Sequence, residues 1–413
     1  MTAFDVASCR AQFPALSIAD GGRPRVYFDN PAGTQVPRQV IDRTVECLTT
    51  KNANLGGYFT TTVEAGKLVD LAHQACADFY NAASASEIVF GQNMTTLTLH
   101  MSRCLGKRFR PGDEIVLSRM DHDANVAPWL LLAEDLGLVV RWMDFDTETY
   151  EFPDDALTRV LSDRTRLLAM GMASNCTGTV SDVKRLAAEA RAAGALVYLD
   201  GVQYAPHYAI DVQDLGADFV VSSAYKWFGP HQGILWGREA VLKETYGYKV
   251  RPAGEELPSK FETGTLSHEG MAGTLGAIEY LEQFGQGDTR AKRIASAWGR
   301  LAEYEHRITL RLIEGLKGFK GLTIRGIASA NAMHRRVPTV SFTLEGHHPQ
   351  ALAKGFARDN IFVWSGHNYA VEPVARMGLM DKGGVLRVGL AHYNTEAEVD
   401  ALLSSLTRQI RSA

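Results

Sequence analysis

From Glu87 to Lys226 the chain alternates short apolar runs with stretches of helical periodicity, and this alternation restricts the fold more than any other feature. Ile88-Val89-Phe90, Ile115-Val116-Leu117, Leu138 to Trp142, Leu167 to Met170, Ala195 to Leu199 and Phe219-Val220-Val221 read as strands. Between them, a helix opens near Met94 and carries Leu97, Met101 and Cys104; others are predicted over 125–136 and, capped by Ser181, over 182–193. Strands separated by 10–15 helical residues need crossover connections, and those build a mostly parallel sheet. One strand after another ends in polar residues: Asn93, His122, Asn175, Asp200 and Ser223. Ligands of such sheets bind outside the carboxyl ends of the strands. A single loaded sheet edge is therefore expected.

The 413 residues suffice for two domains at the usual ~100–200 residues each. Residues 1–25 read as a short helix and loop, an N-terminal segment expected to pack on the smaller domain. A large domain is predicted over 26–265. It begins with the run Val26-Tyr27-Phe28 and two helical segments, Pro37 to Lys51 and Val63 to Tyr80. Beyond residue 265 the texture changes to helices over 271–284 and 290–316, with shorter strands near 322–326, 338–344, 361–364 and 385–390. The last helix opens with a Thr395-x-x-Glu398 capping box. This α+β pattern defines a smaller C-terminal domain over 266–413.

With 22% charged residues and a net charge of -4, nothing electrostatic favours nucleic acid or an anionic membrane as a partner. No apolar run approaches the ~20 residues of a spanning helix. The N-terminus lacks a charged stretch followed by an apolar one, so secretion is not expected. Cys9, Cys47, Cys76, Cys104 and Cys176 form no Cys-x-x-Cys pair. They read as reduced thiols of a cytoplasmic protein, and no metal site is expected.

Asp200 and Lys226 lie just past the ends of two predicted strands of one α/β unit. A lysine that can form a Schiff base and a carboxylate that can pair with a pyridinium nitrogen are the two protein groups pyridoxal 5'-phosphate (PLP) needs. Taken alone, the pair also fits a solvated loop lysine and a helix-capping aspartate. A nucleotide-binding Rossmann reading fails, because no G-x-G-x-x-G follows a strand.

Around the lysine, Ser223-Ala224-Tyr225-Lys226-Trp227-Phe228-Gly229-Pro230 resembles the Ser-Gly-His-Lys-x-x-Gly-Pro signature of class V aminotransferases, cysteine desulfurases in particular. The resemblance runs from Tyr27-Phe28-Asp29 to His392-Tyr393-Asn394-Thr395. It implies the fold type I of PLP-dependent transferases: a mostly parallel seven-stranded sheet in the large domain and a smaller α+β C-terminal domain. It also implies roles for particular residues. Lys226 would hold PLP and later shuttle protons. Asp200 would pair with the ring nitrogen, Gln203 and Asn175 would face the ring's phenolic oxygen, and His122 would stack on the ring. Met94 and Thr95, at a helix N-terminus, would receive the phosphate together with Ser223. Tyr225 replaces the signature histidine, which puts that phosphate contact in question. Thr265 matches a threonine that reaches the phosphate across a homodimer interface. Arg387 would grip the α-carboxylate of an amino-acid substrate, with Asn30 beside it.

One segment departs from the pattern. Cysteine desulfurases carry a mobile cysteine in Arg-Thr-Gly-x-x-Cys; here the segment is Trp364-Ser365-Gly366-His367-Asn368-Tyr369. A phenol cannot take a sulfur atom as a persulfide. Residues 52–58 also lack the arginine and histidine that desulfurases have there. The expected function is that of a PLP-dependent enzyme acting at the α-carbon, foremost a C–S lyase working by β-elimination. The alternatives are a class V aminotransferase, an epimerase or, from another class, a non-catalytic PLP-fold partner in sulfur metabolism. Trp364, His367 and Tyr369 would then wall the substrate pocket.

Overall fold

The computed structural model describes residues 4–411. Its centre is a seven-stranded sheet made of β1 (Ile88–Gly91), β2 (Glu114–Ser118), β3 (Val139–Met143), β4 (Thr165–Gly171), β5 (Leu196–Asp200), β6 (Phe219–Ser223) and β7 (Gly233–Gly237), in the spatial order β1-β7-β6-β5-β4-β2-β3. Neighbours from β6 to β3 are parallel; β7 runs antiparallel between β6 and β1. β2, β6 and β7 are buried throughout, and consecutive apolar residues such as Ile115-Val116-Leu117 and Phe219-Val220-Val221 make up most of them, as expected for strands covered on both faces.

The sheet separates two layers of core. One, with Ile88, Val116, Leu168, Val197, Val220 and Ile234, packs under the helices Thr60–Tyr80, Val183–Ala192 and His268–Glu282. The other, with Val89, Ile115, Leu117, Tyr198 and Leu235, is covered by the helices Met94–Gly106 and Ala127–Leu136. The 28-residue helix Arg290–Lys317 buries Ile294, Trp298, Leu301, Tyr304, Ile308, Leu312 and Leu316, which recur every three or four positions on one stripe. That stripe joins the sequential halves of the chain. The C-terminal sheet is antiparallel, in the order Leu322–Ile324, Thr339–Leu344, Val385–Gly389, Trp364–Gly366.

The run at Val26–Tyr27 pairs in parallel with Ile361–Phe362, and Val26 and Phe28 fill the C-terminal core. The seventh strand of the large sheet is β7, a run that the sequence patterning did not single out. The six residues between Lys226 and Gly233 are too few for a crossover helix, so the chain returns antiparallel. Gly233 of β7 is required by contact: a Cβ there would come within 2.6 Å of the Asn93 backbone. The strand can therefore press against the start of the helix Met94–Gly106. The N-terminal segment touches both bodies. Arg10 pairs with Glu398, whereas Phe13 packs on Phe228 and Tyr280 as well as Tyr393.

Candidate active site

The carboxyl ends of β2, β4, β5 and β6 open onto one cavity of about 800 Å³ and a small chamber at its floor. Lys226 follows β6 through one helical turn, Ala224–Lys226. Its amine donates to the carbonyl of Pro31 and lies 5.0 Å from the centre of the Tyr225 ring. Burial, and then the nearby Arg387 guanidinium, push the Lys226 amine down to about 7, against the pull of Asp200 and Asp29. Asp200 ends β5 and is buried. One carboxylate oxygen accepts from Val202 N–H at 2.8 Å, and burial raises the group to about 6.

His122 follows β2. Its Nδ1 accepts from Ala124 N–H at 3.0 Å, and its ring stacks on Tyr369 at 5.6 Å and 18°. Burial and the two cations Lys226 and Arg387 depress it to about 3, so the imidazole is neutral at physiological pH. The preceding Asp121, which sequence reasoning left as a turn residue, anchors this corner. It is buried and accepts from Gly171 N–H, Asn125 Nδ2 and Ser118 Oγ. Its only sequence signal was its place at a strand end.

The C-terminal sheet supplies the opposite wall. Arg387 is buried in the strand Val385–Gly389 and donates to the carbonyl of Asn175 at 3.1 Å. Trp364 faces Arg387 directly across the strand pair. Residues 366–370 form a turn in which Asn368 and Tyr369 both take positive φ, 52° and 56°, a conformation that costs of order 1–3 kcal/mol per non-glycine residue. Hydrogen bonds hold it: Asp123 N–H donates to the Tyr369 carbonyl at 2.7 Å, and Asn175 Nδ2 to the Asn368 carbonyl at 2.9 Å.

Most of the residues expected at the site line this space: Thr95, His122, Asn175, Tyr225, Lys226, Trp364, His367, Tyr369 and Arg387 in the cavity, Met94, Asp200 and Gln203 in the chamber. Gln203 Nε2 donates to Thr339 Oγ1 at 3.0 Å, tying the chamber to the C-terminal sheet. Three expected residues lie apart. Ser223 is buried, and its Oγ accepts from Met94 N–H at 2.9 Å, fastening the helix N-terminus to β6. Asn30 does not line the cavity: its Nδ2 donates to the carbonyls of Tyr27 and Gly389, and its Oδ1 accepts from Tyr393. Thr265 is exposed in a separate cleft with His100 and His231.

A model of the family described as Aminotransferase class-V matches residues 26–402. The chain belongs to the class-V aminotransferase family. Aminotransferase-like protein FGM3 of Gibberella zeae is 33% identical over 98% of both chains, and a cysteine desulfurase of Yersinia pestis is 32% identical over 98% of both. Among solved structures, the apo cysteine desulfurase of Thermococcus onnurineus superposes with a TM-score of 0.89 at 26% identity over the whole of both chains. The fold is that of type I PLP enzymes, and class-V enzymes depend on PLP.

The residues of this class-V member fit that group. The buried Asn175 Oδ1 has no partner among the described residues, a state costing about 1–3 kcal/mol unless a bound group satisfies it. Asp200 is buried without a salt bridge and would gain a cationic ring nitrogen as its partner. The helix Met94–Gly106 points its N-terminus at the cavity, where its dipole favours a phosphate. Only the unprotonated amine of Lys226 is a nucleophile. The rate at which PLP recombines with the stripped protein should therefore rise with pH through about 7 and level off above it. Stopped-flow absorbance checks this; a rate independent of pH between 6 and 9 would contradict the assignment.

Proposed function

We propose that this protein is a PLP-dependent C–S lyase that acts at the α-carbon of an amino acid and releases a sulfur-bearing group from Cβ by elimination. The observation that carries the proposal is a cavity that unites Lys226, Asp200 and Arg387 and that no cysteine reaches. All five cysteines are buried. Cys176, next to Asn175 in sequence, is packed among Ala370, Val374, Leu379 and Val385, and burial pushes its thiol up to about 12. A thiol in that state neither ionises nor reaches a substrate.

Each residue then has one task. Arg387 orients the substrate by its α-carboxylate through two parallel N–H bonds. Lys226, with its low pKa, takes the α-proton at Nζ. Asp200 would hold a proton on the cofactor's ring nitrogen, and the neutral imidazole of His122 would pack against the ring. PLP, when bound, supplies the electron sink for the charge at the α-carbon. With Tyr369 in place of a nucleophile, the sulfur leaves as a thiolate instead of being transferred to the protein. The division into a body over 26–265 carrying Lys226 and a body over 266–413 carrying Arg387 belongs to this reading, with residues 1–25 bridging them.

The test is to incubate the holoenzyme with L-cysteine and S-substituted cysteines, then measure products and protein mass. Pyruvate, ammonia and the free thiol, with the protein mass unchanged, are expected. Alanine together with a protein heavier by one sulfur atom would overturn the reading in favour of a desulfurase with a relocated thiol. The aminotransferase reading, favoured by the name of the Gibberella relative, predicts instead amine transfer to an added 2-oxo acid.

A cytoplasmic homodimer is part of the same proposal. Thr265 does not reach the Lys226 cavity of its own chain, so its contribution requires a second one. The exposed Leu55, Tyr58, Phe59 and Val63 form apolar surface of the kind that subunits cover. Sedimentation of the active enzyme should show a dimer; a fully active monomer would contradict it.

A further inference from the structure

We propose that the cavity selects amino acids with a bulky apolar side chain, an aryl or branched alkyl group carried beyond Cβ; this rests on the reading of the site as one that binds an amino acid through Arg387. The cavity is far larger than cysteine requires: at about 800 Å³ it lies near the upper end of small-molecule sites. Away from Lys226 and Arg387, one wall is Leu99 from the helix Met94–Gly106 with Ala127, Pro128 and Leu131 from the helix Ala127–Leu136. Positions 127, 128 and 131 fall on one helical stripe, so they present a continuous apolar face. Leu99 is 37% and Leu131 44% exposed, unusual for leucines with a buried alternative, and both exposed faces line this cavity. The indole of Trp364, 53% exposed, lines the same cavity.

The charges in the cavity oppose other substrates. Lys226 and Arg387 are its only Lys or Arg residues among those described, and both already have tasks. With the helix N-terminus given to the cofactor phosphate, His367 is the one further lining side chain among those described, beyond the neutral His122, that could carry a positive charge beside a second carboxylate or a phosphate. Asp123 at the rim would repel either one. A lone, partly exposed carboxylate is in turn a weak attractant for a distant ammonium.

The experiment uses carboxylates without an amine, which cannot react, so that binding alone is read. Acetate, succinate, 6-aminohexanoate and 4-phenylbutanoate are titrated into the PLP-loaded protein by calorimetry. The expected result is that 4-phenylbutanoate binds about 100-fold more tightly than acetate and with a negative heat-capacity change. Leu131→Asp should remove that advantage; Leu99→Asp tests the same wall should the first variant fail to fold. Succinate or 6-aminohexanoate binding as tightly as 4-phenylbutanoate would overturn the proposal. So would equal affinities combined with a Leu131→Asp protein that no longer dimerises, because the wall would then be covered by a second copy of the chain. Arg387→Ala separates the two levels. If it weakens all four ligands while side-chain chemistry makes no difference, the amino-acid site stands and the apolar selection falls. If it weakens none, the amino-acid reading falls first.

Discussion

Replacing Lys226 by alanine should leave a folded protein that retains PLP without a covalent bond and has no measurable turnover. The effect is total because Lys226 serves twice: its amine is the attachment point and, once released, the base at the α-carbon. No other lysine can substitute. Lys260 is also buried, but its amine is held by the carbonyls of Leu242 and Lys243, and it does not line the cavity. Borohydride reduction followed by peptide mass mapping checks this. The reduced adduct should lie on Lys226 in the native protein and be absent from the variant. An adduct on a different lysine would refute the assignment.

Asp200→Asn should keep the cofactor and the fold but slow α-proton loss by about 10²–10³-fold. Asparagine has nearly the same shape and can still accept from Val202 N–H, so the loss is electrostatic. Burial raises the Asp200 carboxyl to about 6 against the opposing pull of the Val202 N–H and Lys226, and a cationic ring nitrogen against it would favour the ionised form again. The neutral amide cannot hold that proton on the ring, and the electron sink weakens. Exchange of the α-hydrogen for deuterium, followed by NMR, measures the step without product release. Exchange in the variant near the native rate would show that Asp200 has another role.

The parts of the site that were readable in the sequence share one physical cause. Lys226, Asp200, His122 and Asn175 each follow a strand, and parallel topology brings those strand ends to one edge, so their one-dimensional order already implies their meeting. Arg387 was readable because a guanidinium in an apolar strand needs a purpose. What was hidden depends on contacts that periodicity does not encode. Val26–Tyr27 has the pattern of any buried strand, and only the tertiary fold decides that its partner is Ile361–Phe362. β7 is short and lacks the helical spacer that announces the others. The resemblance put Asn30 beside the substrate, yet its amide is consumed in joining Tyr27 to Gly389. The apolar wall was least visible of all. Leu99 and Leu131 occupy ordinary helix positions, and nothing local distinguishes a leucine facing a cavity from one facing core.

The position of β7 also bears on when the protein becomes competent to receive its cofactor. β1 has a single partner in the sheet, and that partner is β7. The helix that begins three residues after β1 is fastened by Ser223, 129 residues downstream of Met94. During synthesis, then, the phosphate-facing helix end emerges early, but its anchor Ser223 and the β7 edge it presses against are made only much later. Closing so long a loop is entropically costly and is repaid only when both strand contacts form. The phosphate cradle is thus among the last features of the large sheet to assemble, and PLP capture becomes a late checkpoint in the maturation of the chain.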